Sequence, residues 1–113
     1  MRTSFNMCET NITMIKGDTL AFGMEIDGLE GQDLESAFFT CKTVRESDEH
    51  IFQKSLGDGI TKVDDGKYIV RVAPSDTEDV TAGAYFYDLQ IGVNCDVYTV
   101  LLGLLEILQD VTN

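Results

Sequence analysis

Thr81–Ile91 reads TAGAYFYDLQI, and PSDTED (Pro74–Asp79) stands just before it. Three consecutive aromatics sit inside an alternating pattern. In an extended chain Tyr85, Tyr87, Leu89 and Ile91 fall on one face, and Phe86, Asp88 and Gln90 on the other. The first face is apolar throughout and is therefore the core side, which leaves Phe86 pointing outward beside Asp88. Upstream, Ser75 and Glu78 have the S-x-x-E spacing of a capping box, so one helical turn is expected near residues 75–80, too short for a full helix. Thr81–Gly83 then turns the chain into the strand.

Working outward, the same period of two recurs. TLAFGMEID (Thr19–Asp27) alternates with Leu20, Phe22, Met24 and Ile26 on one face, a half-buried strand. KYIVRVA (Lys67–Ala73) puts Tyr68, Val70 and Val72 together, and Asp64-Asp65-Gly66 before it is a hairpin turn signal following ITKV. AFFTCKTVRE (Ala37–Glu46) is rich in aromatic and β-branched residues and is expected to be a strand, with IFQKSL (Ile51–Leu56) returning beside it. Asn11–Lys16 is a further short strand. DVYTVLLGLLEILQDV (Asp96–Val111) has the apolar density of a buried helix, but Val97–Val100 favour a strand and Gly103 disfavours a helix by about 1 kcal/mol. A long final strand is expected, bent or bulged near Gly103.

The fold class that follows is all-β: an immunoglobulin-like antiparallel β-sandwich of about seven to nine strands. In such a domain the strand through Tyr85 is the second-last, and a tyrosine at its start bonds upstream backbone; Tyr85 and Tyr87 both qualify. The cysteine that should follow is missing. Sheet edges in this architecture must be covered by a partner or by charge.

The chain has 113 residues, enough for one domain, expected over residues 9–113 behind a flexible arm at 1–8. Apolar residues make up 43% and charged residues 25%, an ordinary globular balance. No apolar run is long enough to span a membrane, and MRTSFNMCETNITM lacks a signal-peptide core, so Sec export is not expected. Eight basic against twenty acidic residues leave a net charge of −12, which repels phosphate backbones and anionic leaflets. Nucleic acid is therefore a poor partner, and neither it nor a membrane is expected as one. Cys8, Cys41 and Cys95 are odd in number and lack C-x-x-C spacing, so three free thiols are expected, with Cys41 in the core.

No catalytic constellation or cofactor motif emerges, and no enzyme activity is expected. The single histidine, His50, lies in the polar turn ESDEHIF and is read as a solvated turn residue. Carboxylates at Asp27, Glu30 and Asp33, at Asp64 and Asp65, and at Asp76, Glu78 and Asp79 invite a calcium test, but none fits an EF-hand loop, and Asp and Gly also form turns. A sugar platform built on Phe5, Phe38-Phe39 and Tyr85-Phe86-Tyr87 is disfavoured because consecutive strand residues face opposite ways and the sequence has no Trp to stack a sugar. The residues left as a candidate interaction surface are Phe86, Phe38 and Asp88.

Five stretches carry a family resemblance: KGDT at Lys16–Thr19, FFTCK at Phe38–Lys42, APSDT at Ala73–Thr77, YFYDL at Tyr85–Leu89 and DVT at Asp110–Thr112. Together they resemble small structural proteins of tailed phages and prophages, in particular the N-terminal β-sandwich domain of phage baseplate upper proteins. The resemblance implies a non-enzymatic virion, tail or baseplate-associated protein that assembles with itself or with other phage structural proteins. It also implies a bacterial cytoplasm during production and the virion afterwards. The alternative reading is a carbohydrate- or calcium-binding β-sandwich module.

Overall fold

The computed structural model describes residues 1–111, so Thr112 of the closing DVT motif lies outside the described residues. Ten strands and one helical turn follow in order: β1 (Arg2–Thr3), β2 (Cys8–Glu9), β3 (Ile12–Ile15), β4 (Leu20–Ile26), β5 (Ser36–Lys42), β6 (Phe52–Leu56), β7 (Gly59–Asp64), β8 (Lys67–Val72), α1 (Pro74–Thr77), β9 (Gly83–Val93) and β10 (Asp96–Leu108). Hydrogen bonds link them as β1-β4-β8-β7-β6-β5-β9-β10, with β2 and β3 both on β10.

That path folds into two layers. The chain passes from β6 to β7 through Gly57–Gly59, where Gly57 and Gly59 take φ of +88° and +100°, and only a two-residue bridge joins the strands there. The rings of Phe22 on β4 and Phe39 on β5 lie 5.5 Å apart although four ladders separate their strands, so the two halves face each other. One layer is β1-β4-β8-β7; the other is β6-β5-β9-β10. With β4, β8 and β7 in the places of strands B, E and D, and β6, β5, β9 and β10 in those of C′, C, F and G, the order is that of an immunoglobulin-like sandwich.

The alternating strands face as their patterns require. Met24 and Ile26, Tyr68, Val70 and Val72, and Tyr85, Tyr87, Leu89 and Ile91 are all buried. Cys41 is buried too, and burial pushes its thiol up to about 12. Tyr85 is the corner tyrosine: its OH donates to the carbonyl of Thr81, four residues upstream. The second immunoglobulin cysteine comes two residues after that tyrosine, and Tyr87 occupies the position. Its ring lies 5.5 Å from Phe39, which in turn meets Phe22 and Phe52. A row of aromatics from β4 through β5 to β9 thus stands where the disulfide and its tryptophan would be.

Arg2 and Thr3 pair with β4, and Cys8 and Glu9 with β10, through backbone ladders that a pattern of polar side chains does not advertise. Three local expectations are corrected. The helical turn is capped from Ala73 and not from Ser75: Pro74, with φ already fixed and no N–H to lose, takes the first helical position. The Asp76 carboxylate therefore reaches back to the Ala73 N–H at 2.7 Å. β5 ends at Lys42 and not Glu46, because the Lys42 ammonium bonds the Ser47 carbonyl at 2.6 Å and Ser47 N–H closes on Val44.

The last strand is long, as expected, but its irregularity falls between Thr99 and Leu101, upstream of Gly103. Gly103 serves a different end. A Cβ there would lie 2.1 Å from the Thr10 carbonyl oxygen, so its bare backbone lets the N-terminal segment close on β10.

Candidate functional site

The outward face of β5, β9 and β10 is assembled by register. Lys42, Phe86 and Leu104 stand side by side across the three strands, then Thr40, Asp88 and Leu102, then Phe38 with Gln90. Phe86, Phe38 and Asp88 therefore share one face, Phe86 and Asp88 two residues apart on β9 and Phe38 one strand over.

Phe86 is half-buried and its ring is covered by the Arg45 guanidinium, 5.1 Å from the centroid. Such a cation–π contact holds the loop after β5 down on the sheet. Phe38 is more open, 38% exposed. Asp88 is half-buried, and burial raises its carboxyl above the ordinary carboxylate range while the nearby Lys42 pulls the other way. Beside it, Thr40 Oγ1 accepts a bond from the Gln53 amide at 3.0 Å.

Two open hollows adjoin on this face and share Thr40, Lys42 and Asp88. One, of about 430 Å³, adds Phe86, Arg45 and Leu102. The other, of about 420 Å³, adds Phe38, Gln90 and His50. His50 is exposed in its turn and contributes to the rim of the second hollow. The result is an apolar strip of Phe86, Leu102 and Leu104 flanked by polar and oppositely charged groups, the composition of a recognition surface with an apolar centre and a polar rim.

Arg45, Lys42, Leu102 and Leu104 were not singled out in the sequence. Their signal lies in cross-strand register, which one strand's alternation does not carry. The acidic loops are engaged elsewhere: Asp27 pairs with Arg2, Asp33 and Asp65 with Lys62, and Asp76 with Lys54. Among the described residues no three His, Cys, Asp or Glu side chains gather closely enough to hold a metal ion. Of the aromatic runs, Tyr85, Tyr87 and Phe39 are core residues, which leaves single rings outward.

No family model matches the sequence, and no curated protein matches it either. Solved structures do match. The N-terminal domain of phage TP901-1 ORF48 aligns over 96% of this chain and 99% of that domain, with a TM-score of 0.50 and 11% identity. The chain is similar in fold to a phage domain. The extracellular domain of the voltage-gated sodium channel beta4 subunit, which forms parallel homodimers and has a role in cell–cell adhesion, aligns over 91% of this chain and 93% of that one, with a TM-score of 0.48 and 14% identity.

Proposed function

We propose that this chain is a non-enzymatic structural protein of a phage or prophage particle, associated with the virion, tail or baseplate, and that it works by protein–protein assembly. The observation that carries this reading is the outward face of β5, β9 and β10. Phe86, Leu102 and Leu104 form an apolar strip there, and Asp88, Lys42 and Arg45 border it. An interface draws its energy from a few buried anchors of this kind, with the surrounding polar groups setting orientation. The phage setting is supported by the end-to-end likeness in fold to a phage N-terminal domain. The sequence resemblance to baseplate upper proteins points the same way.

In this reading the protein is made in the bacterial cytoplasm and passes into the particle, and its partners are other phage structural proteins or further copies of itself. The test is compositional. Particles purified on a density gradient from a producing culture should contain this chain by peptide mass spectrometry, at a constant ratio to the tail proteins across the band. Its absence from the particles would overturn the proposal. A calcium-dependent rise in Tm or a hit on a glycan array would instead favour a ligand-binding module.

A further inference from the structure

β4 is the last long strand of its layer, and the short β1 covers its outer edge along only part of its length. β1 pairs with Glu25 and Ile26, and the Glu25 and Asp27 N–H groups bond Met1 and Thr3. The N–H and C=O groups of alternate strand residues point the same way, so Ala21 and Gly23 also present theirs to this edge. Ile26 N–H bonds Gly66 on the opposite side, which assigns Leu20, Phe22 and Met24 to the ladder with β8. Gly23 O takes the Met1 amino group at 2.9 Å, but no strand lies against Ala21 among the described residues.

Exposed edges are normally guarded by charge, proline or a bulge. The outer strand β7 is guarded: its register breaks between Lys62 and Asp64, and Lys62 stands between Asp33 and Asp65. The open run of β4, TLAFG at Thr19–Gly23, has none of these devices. Its core-facing residues are also incompletely covered. Leu20 and Phe22 pack against the buried cluster yet remain only half-buried.

We infer that β4 pairs edge to edge with β4 of a second copy, antiparallel about a twofold axis through Ala21. The two Ala21 residues then exchange both of their backbone hydrogen bonds. Leu20 stands directly opposite Phe22 of the second copy, and Phe22 opposite its Leu20. These are non-hydrogen-bonded pairs, in which side chains approach more closely, and aliphatic–aromatic pairs of this kind stabilise sheets. The half-buried residues of each copy thus cover those of the other, and the core runs on across the seam.

On the outer face, Ala21 and Gly23 leave the junction free of bulky side chains. The register is limited by the N-terminal segment, whose Met1 occupies the edge from Gly23 O onward, so the pairing is centred on Ala21 and ends at Thr19 beside Gly23. A contact that uses the same patch twice closes as a dimer. This interface lies in the other layer from Phe86 and does not depend on the assembly reading above.

Sedimentation equilibrium of the full chain over a concentration series tests it. The mass should rise to twice that of the chain. Ala21→Pro, which removes the edge N–H and spares the ladder to β8, should return it to the single-chain mass, while Thr61→Lys, at an exposed position of β7, should leave the doubled mass intact. Should the proline variant not fold, Ala21→Cys with Cys8 and Cys95 replaced by serine answers the same question. Opposed residues of a hydrogen-bonded pair sit about 5.5 Å apart, within disulfide reach, so oxidation should give a covalent dimer where a Thr61→Cys control gives none. A single-chain mass at every concentration, a dimer that Ala21→Pro leaves intact, or equal cross-linking of the two cysteine variants would overturn the inference.

Discussion

Gly103 and Tyr87 act on the same atom, the Thr10 carbonyl oxygen. The glycine leaves it room, and the tyrosine OH donates to it. Tyr87 is buried, which pushes its phenol up to about 12 and keeps it a donor at any ordinary pH. Gly103→Ala should therefore lift the Thr10–Asn11 backbone from β10 and reduce stability by about 2 kcal/mol, read as a lower urea midpoint. Tyr87→Phe alone should lose about 1 kcal/mol. Combined, the two should lose less than the sum, because the first change has already moved the acceptor away.

Asp88 makes a second prediction at this scale. Its folded-state carboxyl is raised, so the native state holds the proton more tightly than the unfolded chain does. Stability should then fall as pH rises from the ordinary carboxylate value, about 3.9, through the raised one, and level off above it. Asp88→Asn should raise Tm at neutral pH and have no effect once pH drops below that window. An equal shift at both pH values would show that charge burial is not the cause.

Among the elements, α1 is anchored by buried Thr77, whose Oγ1 accepts from Gly17 N–H at 2.9 Å, and by a carboxylate with two duties. Asp76 bonds the Ala73 N–H and pairs with Lys54 at 2.7 Å, in a contact where the side chains are only 18% and 13% exposed. Asp76→Ala should lower stability by about 3 kcal/mol, because it strands a nearly buried ammonium, and chemical denaturation should show the loss as a midpoint shift with an unchanged slope. Lys54→Met together with Asp76→Ala should recover part of it. The strand faces of β4, β8 and β9 were legible in the sequence because burial on one side imposes a period of two. β1 and β2 were not, since their residues are mostly exposed and they attach through backbone. The cap at Ala73 was missed for a related reason: S-x-x-E spacing is a side-chain signal, whereas Pro74 sets the boundary through its ring.

For the whole molecule, an immunoglobulin-like sandwich usually shows its disulfide and its tryptophan. Here that signal was replaced by Phe22, Phe39 and Tyr87, whose contact depends on three strands meeting. The architecture was readable from alternation and turn spacing; the way its centre is pinned was not. The candidate face divides in the same manner. Phe86 and Asp88 were visible as the outward half of a strand whose other half is core. Arg45, Lys42, Leu102 and Leu104 join them only through register.

That face is the centre of the proposed function, and one measurement tests it most directly. The double variant Phe86→Lys with Phe38→Lys should keep its fold by circular dichroism, since both side chains lie on the outward side of the sheet. Tagged wild-type and double-variant chains would be expressed in the producing host, and their recovery in gradient-purified particles compared. The wild type should enter the particles, and the double variant should be reduced at least about tenfold, as loss of more than 1.4 kcal/mol of contact energy requires. Equal incorporation of the two would contradict the account.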